Sequence, residues 1–158
     1  MKQTNIAKPL FVGHITLELR DEKGNIKQVV DKHNTFTAVG DAHVADQLSE
    51  TPDEATMGWI AIGSDDTAFS DASTVLNDEI DRNALESGYP EQQAAGDDND
   101  VKYKATWAAG DGTGAIKEAG IFNSSAGGTM MAASTFPVIN KGASDTLTIT
   151  WTVTCGQS

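Results

Sequence analysis

Two glutamates and one arginine are the side chains whose types and spacing could do chemistry. Glu79 and Arg82 stand three residues apart, so an ion pair is sterically available if this segment is helical, and a larger role would require burial or an intersubunit partner. Glu118 lies among small and apolar residues in the run 116–122, where an enclosed carboxylate would need a cation or backbone N–H donors. No second carboxylate stands at a fixed spacing from Glu118, so no glycosidase-like acid/base pair is predicted. We expect all three residues to have structural polar roles.

The histidines and the cysteine show no catalytic or metal-binding pattern. His14, His33 and His43 lack HxH or HExxH spacing and are expected at surface or edge positions. Cys155 lies on the same apolar side of a predicted strand as Trp151, which favours a structural thiol over a nucleophile. We therefore expect no catalytic residue, no metal site and no enzymatic activity.

Two loops have a composition that resembles ligand-binding loops. The glycine-rich stretch 110–114 fits neither GxGxxG nor GxxxxGK[ST] and precedes a strand, so it is interpreted as a turn. The acidic stretch 97–100 offers oxygen ligands, but the central glycine and the final glutamate of an EF-hand loop are missing. Solvated charge is the expectation there, with weak cation binding left open, and no cofactor is predicted.

The elements that must position these residues are mostly strands. Apolar residues alternate with threonines over 146–155, which predicts a strand with one core side and one threonine ladder facing solvent or a neighbouring subunit. A second alternation over 11–20, the turn 21–25 and a return over 26–30 predict an N-terminal hairpin with a charged tip.

One short helix is predicted between Thr37 and Glu50, with Thr37 as its N-cap. Its apolar positions recur at spacings of three or four: Ala38, Ala42, Ala45 and Leu48, with Val44 beside the last.

The remaining apolar segments indicate further strands, predicted over 57–62, 101–107, 115–122 and 129–136. Pro137 is expected to close the last of these, 88–100 is an exposed loop, and 74–82 is either a helical turn or an extended crossing. The fold class is therefore mainly β: an antiparallel β-sandwich or barrel-like module with an N-terminal hairpin and one short helix. We expect a single domain over 1–158, with 1–9 as an extended N-terminal arm.

Composition excludes several classes of protein. The chain has 158 residues, a formal charge of −12 and a pI near 4.4, which would repel a nucleic-acid backbone. No stretch approaches the length of about 18 apolar residues that a membrane span requires. The single cysteine and the absence of an apolar leader segment favour synthesis in a reducing cytoplasm. Neither nucleic acid nor membrane is an expected partner.

Several stretches in a fixed order resemble structural proteins of tailed-bacteriophage virions, over roughly residues 11–155. They are Ile60–Gly63 followed by Thr67 and the L-x-x-E-x-x-R element Leu76, Glu79 and Arg82, then 105–123, 127–136 and 147–154. The chain departs from the pattern at 63–66, where a Gly-Thr-rich turn is usual, and at 132–134, where many relatives carry an arginine. Any intersubunit contact of that arginine is not carried over.

The resemblance implies a head decoration (cement) protein that binds the major capsid protein on the outer capsid surface as a homotrimer, after synthesis in the bacterial cytoplasm. A tail-fibre or collar domain is the alternative, and a small carbohydrate hydrolase or an acidic ligand-binding sandwich are more distant ones. The compact size and the lack of heptad repeats favour a location on the phage head over a tail fibre. The negative charge favours the outer surface of the capsid over its lumen, which is filled with DNA. The expected contact residues are Lys2, Asn5, Lys8 and Pro9 of the arm, and Thr148, Thr150 and Thr152 of the ladder.

Overall fold

Ten strands and one helix form two antiparallel sheets in the computed structural model, which describes residues 11–156. The elements are β1 (Phe11–Arg20), β2 (Ile26–His33), β3 (Thr35–Phe36), α1 (Ala38–Gln47), β4 (Trp59–Gly63), β5 (Glu79–Ala84), β6 (Glu91–Gln92), β7 (Asp100–Trp107), β8 (Gly114–Phe122), β9 (Met130–Lys141) and β10 (Thr146–Cys155). Sheet A has the strand order β2-β1-β10-β7-β6, and sheet B the order β3-β9-β8-β4-β5. The predicted fold class is confirmed, and the two separate sheets make the architecture a sandwich.

The alternating C-terminal segment forms the central strand of sheet A. β10 pairs with β1 on one side, where Thr150 lies opposite Thr16, and with β7 on the other, where Thr150 lies opposite Lys104. Leu147 and Trp151 point into the sandwich and are fully buried, whereas the threonines between the apolar positions are half-buried on the outer side. The predicted division of this strand into two sides is confirmed.

The predicted N-terminal hairpin is also confirmed, and its turn is stabilised by local hydrogen bonds. The Asp21 carboxylate accepts hydrogen bonds from the backbone N–H groups of Lys23 and Asn25, each at 2.9 Å. Gly24 adopts a φ of 83°, a left-handed conformation that glycine takes without a steric penalty. β2 then runs to His33, three residues beyond the predicted end.

The main core lies between the two sheets and includes Trp107 and Trp151, both fully buried. A second, smaller cluster lies on the outer side of sheet B and consists of Ala61, Leu76, Phe122, Met130 and Ala133. Burying a large apolar side chain contributes about 1.5 to 3 kcal/mol, so both sides of sheet B are stabilised by apolar contacts. Sheet A has a buried side only towards the main core.

The helix is found where it was predicted, but only one of its predicted apolar residues packs against the core. The Thr37 hydroxyl accepts a hydrogen bond from the Gly40 N–H at 2.9 Å, which confirms the N-cap. Gly40 and His43 are the buried positions of α1, and Gly40 lies against the backbone of Met131 in β9. Of the predicted apolar positions, Val44 packs against the main core, whereas Ala38, Ala42, Ala45 and Leu48 are exposed, Leu48 at 83%.

Three other predictions require correction or completion. Segment 74–82, for which the sequence predicts either a helical turn or an extended crossing, ends in strand β5, so the extended alternative is correct. Within the predicted loop 88–100, residues 91–92 form the short edge strand β6. Pro137 does not end β9, which continues to Lys141, because the pairing with β8 shifts register and accommodates the proline in a bulge.

Candidate functional site

The outer side of sheet B is covered by the loop 64–78, and Glu118 holds that loop in place. Glu118 Oε1 accepts a hydrogen bond from the Asp78 N–H at 2.7 Å, and Oε2 accepts from the Asn77 N–H at 3.0 Å and from Asn77 Nδ2 at 3.3 Å. The side chain is fully buried. Backbone and amide N–H donors therefore satisfy the enclosed carboxylate, which is one of the two arrangements that its sequence context requires.

Arg82 and Glu79 lie on the same outer side of sheet B and form an ion pair, although the segment is a strand. The pairing of β4 with β5 shifts between Ile62 and Gly63, and this bulge brings the two side chains to one side. Arg82 Nε and Nη2 donate to the two Glu79 carboxylate oxygens at 2.9 and 2.7 Å. The guanidinium carbon lies 3.7 Å from the centre of the Phe122 ring.

The Arg82 guanidinium also fixes the turn that joins β8 and β9. Its Nη1 donates to the carbonyl oxygens of Ser124 and Gly127 at 2.7 and 2.9 Å. The structure thus places Glu79, Arg82 and Glu118 on the outer side of sheet B, where the Arg82 and Glu118 side chains are buried and that of Glu79 is partly exposed.

Within residues 11–156, no element covers the outer side of sheet A, and we call this surface the threonine face. Its centre is the ladder of β10, and β1 and β7 add their own alternate residues on either side. The face consists of Lys27, Val29, Asp31 and His33 of β2; His14, Thr16, Glu18 and Arg20 of β1; Thr148, Thr150, Thr152 and Thr154 of β10; Asp100, Lys102, Lys104 and Thr106 of β7; and Glu91 of β6.

The charge on the threonine face is close to balanced, in contrast to the whole chain. Four cationic and four anionic side chains of its strands lie on it, and Glu86 adds a fifth carboxylate at its edge, whereas the chain carries a formal charge of −12. The negative charge is consequently concentrated on the rest of the molecule. A second surface can approach this face with less electrostatic repulsion than it would meet elsewhere.

The periphery of the threonine face is held by hydrogen bonds, and its centre keeps free hydroxyls. Thr106 donates to Glu86 at 2.6 Å and lies 3.1 Å from the Thr148 hydroxyl, and Lys104 pairs with Glu86 at 3.0 Å. The Thr106 hydrogen bond, followed by that of Lys104, lowers the pKa of Glu86. Thr150 Oγ1 has no hydrogen-bond partner among residues 11–156 and is available to another molecule.

Two of the three histidines are exposed and the third is buried. His14 and His33 are exposed neighbours on the threonine face, with ring centres 5.6 Å apart. His43 is only 3% exposed, so the expectation of a surface position is wrong for it, and its Nδ1 lies 3.0 Å from Glu54 Oε2. Over the described range, no group of three or more His, Cys, Asp or Glu residues is arranged to hold a metal ion.

Cys155 lies on the predicted side of β10, opposite Phe11, but it is exposed rather than buried. It is the last residue of β10 and lies beyond the buried core. Partial desolvation of the sulfur and the nearby Asp100 carboxylate raise the pKa of the Cys155 thiol, which disfavours the reactive thiolate.

The arm residues Lys2, Asn5, Lys8 and Pro9 lie outside the described residues, so their predicted contacts have no structural counterpart. Between residues 11 and 156, no helix has the length and apolar character to cross a membrane. Comparison of the chain with protein-family models, with curated proteins and with solved structures gave no match.

The sequence analysis missed the side chains that flank the threonine ladder. Lys102 and Lys104 alternate with apolar residues in β7, and His14 and Glu18 do the same in β1. This alternation assigned each residue to the polar side of its own strand. The strand order, which no local pattern specifies, then placed the three strands side by side.

Proposed function

We propose that this chain is a decoration (cement) protein of a tailed-phage head, which binds the outer capsid surface through its threonine face. The observation that supports this function is a sheet surface, not covered by any element of residues 11–156, that is nearly charge-balanced on a strongly acidic protein. Threonine side chains suit such a contact because their hydroxyls both donate and accept and their β-branched χ1 angles lose little freedom on binding. The acidic remainder of the molecule would then face the solvent around the particle.

The size of the face supports binding by several copies together. Strands lie about 4.8 Å apart and rise about 3.3 Å per residue, so the paired part of sheet A measures about 20 by 25 Å. This area of about 500 Å² is smaller than the roughly 800 Å² per partner of a standard interface. Three copies clustered at a three-fold position of the capsid would multiply the contact and raise its avidity. The proposed partners are accordingly the major capsid protein and two further copies of this chain.

The mechanism would be mechanical rather than chemical. A module that contacts neighbouring capsid subunits binds the assembled shell and not its separated parts, so binding shifts the equilibrium towards the intact shell. At a free concentration of about 100 times Kd, this linkage contributes about 2.7 kcal/mol per site. The shell would gain resistance to heat and to the pressure of packaged DNA.

The test uses the full chain and heads of the encoding virus that lack it. A Thr150→Arg variant places a long cation at the centre of the threonine face, and we expect its occupancy on sedimented heads to fall at least about tenfold. Ser125→Arg, with the same change of charge at an exposed turn on the sheet B side, is the matched control and should bind normally. Normal binding by Thr150→Arg would refute the proposed surface.

Two further measurements separate the remaining parts of the proposal. Immunogold labelling of intact virions should mark heads, and label confined to tails would replace the decoration function with the tail-fibre or collar alternative. Deletion of residues 1–9 tests the arm: reduced head occupancy is expected, and unchanged occupancy would remove the arm from the contact.

A further inference from the structure

In the part of the chain that the structure describes, the strand β2 leaves one edge of sheet A unpaired. It is the terminal strand of that sheet, and none of the backbone hydrogen bonds within residues 11–156 joins another strand to its outer edge. β2 has eight residues without proline or glycine, and Ile26 and Val29 are 54% and 49% exposed. A long edge strand with exposed apolar side chains is a template for pairing with a further strand.

On the β2 edge, a cationic and an anionic side chain flank Val29 at equal distances along the chain. Lys27 stands two residues before Val29 and Asp31 two residues after it. Val29 and Asp31 lie opposite Glu18 and Thr16 on the outer side of sheet A, and Lys27 lies beside Ile26 in a bulge opposite Arg20, on the same side. Lys27 Nζ donates to Asp145 at 2.6 Å, and because an ammonium has three donors, it can serve a second carboxylate. The Asp31 carboxylate accepts from Thr16 at 2.7 Å and is 57% exposed, so it retains free acceptor positions.

We propose that β2 of one copy pairs antiparallel with β2 of a second copy, across a two-fold axis at Val29. In an antiparallel pair, directly opposite residues point to the same side of the sheet, so each residue must meet a partner of the same outer or inner orientation. Among the two-fold registers that satisfy this condition, the one centred on Val29 is the one that places Lys27 opposite Asp31. The contact then contains two Lys27–Asp31 pairs and one Val29–Val29 pair, and segments 27–31 are paired along their length.

The apolar border beside β2 extends the contact. Val138 of β9 is 40% exposed, and its carbonyl oxygen accepts a hydrogen bond from Gln28 Nε2 at 3.2 Å. β9 therefore lies next to the β2 edge and adds apolar surface on the sheet B side. Backbone hydrogen bonds would supply the affinity, and the charged pairs would set the register.

Pairing of this kind would join two copies of sheet A into one ten-stranded sheet. Because the two-fold axis is perpendicular to the sheet, both threonine faces would lie on the same side of the joined sheet. The contact goes beyond the proposed function and differs from a three-fold cluster, since it would link copies that belong to neighbouring clusters. It requires no capsid and can be measured on the purified chain.

The test is a charge swap monitored by sedimentation velocity over a dilution series. For the natural sequence we expect the mass to rise with concentration towards twice that of the smallest species. Lys27→Asp and Asp31→Lys each create two like-charge pairs and should weaken association at least about tenfold. The double variant carrying both substitutions restores opposite charges in the same register and should recover the association.

Controls separate the edge contact from net charge and from folding. Lys23→Asp makes the same charge change at the exposed tip of the hairpin and should leave association unchanged. Asp31→Lys keeps the Lys27–Asp145 bond, so it remains informative if Lys27→Asp impairs folding.

A mass that does not change with concentration would overturn the proposal. Single variants that associate like Lys23→Asp, or a folded double variant that does not recover, would also overturn it. Head occupancy is measured separately, so loss of this contact leaves the proposed function to its own test.

Discussion

Replacing Glu118 by glutamine should destabilise the fold through loss of the covered side of sheet B. The carboxylate accepts three N–H hydrogen bonds, and glutamine has one carbonyl oxygen with which to replace its two oxygens. If that oxygen keeps the Asn77 contacts, the amide NH2 faces the Asp78 N–H, which then lacks its acceptor beside the fully buried Glu118 side chain.

The expected magnitude follows from those bonds. A hydrogen bond to a charged group contributes about 1.5 to 3 kcal/mol, and a buried donor without a partner costs about 1 to 3 kcal/mol. Glu118→Gln should therefore lower the free energy of unfolding by about 2 to 4 kcal/mol. For a chain of this size, that corresponds to a decrease in Tm of about 5 to 15 °C.

Urea unfolding and amide hydrogen exchange test this prediction together. The exposed Glu50 provides the control, because Glu50→Gln makes the same chemical and charge change and should alter stability by less than about 0.5 kcal/mol. In Glu118→Gln, the amides of Asn77 and Asp78 should exchange faster as the loop 64–78 opens. Natural stability with both amides still protected would refute the assignment of Glu118 as the anchor of this loop.

Two further predictions concern the loop anchor and the β2 hairpin. In Gly63→Ala, the new Cβ would overlap Glu118 Oε1 and the Asp78 carbonyl oxygen. We therefore expect the free energy of unfolding, measured in urea, to fall by about 1 to 3 kcal/mol. Unchanged stability would contradict the close approach. The hydrogen bond from the Lys27 ammonium, followed by one from a backbone N–H, lowers the pKa of Asp145. The ionised Asp145 carboxylate therefore stabilises the fold above the usual carboxyl pKa near 4, and this contribution is lost as the pH falls through the lowered pKa. Lys27→Met should flatten this acidic part of the profile of unfolding free energy against pH, and a profile of the same shape would show that the ion pair does not set the pKa.

The strands were predictable from sequence where one residue type marks each side. In β10, threonine alternates with large apolar residues, so the period of two specifies both the strand and its buried side. The same argument identified β1 and β7. In these strands, local pattern and tertiary burial favour the same orientation, which is why the prediction succeeded.

The orientation of α1 was only partly predictable, because besides Val44 its contact depends on a small residue and a polar one. Gly40 packs against the backbone of Met131, and His43 is buried beside it with a hydrogen bond to Glu54. A hydrophobic stripe indicates a buried side only when burial of apolar area decides the packing. Here close approach of backbones decides it, and Leu48 is left exposed.

The polar residues on sheet B were recognised from sequence, but their partners were not. The context of Glu118 indicated that it would need donors if enclosed, yet those donors lie 40 and 41 residues earlier in the chain. The ion pair of Glu79 with Arg82 depends on a bulge, which the local sequence does not mark. Long-range contacts of this kind follow from strand order, which residue spacing does not determine.

The composition of the two outer sheet sides decides which of them is available to a partner. Sheet B carries Phe122 and Met130 on its outer side, and water would contact this apolar area if the loop 64–78 did not cover it. Sheet A carries threonines at the corresponding positions of β10, and their hydroxyls remain solvated without a covering loop. Apolar residues at these positions would create a large exposed patch and a risk of aggregation. A partner of the threonine face must therefore offer hydrogen-bonding groups, since a purely apolar surface would leave Thr150 and its neighbours desolvated and unpaired.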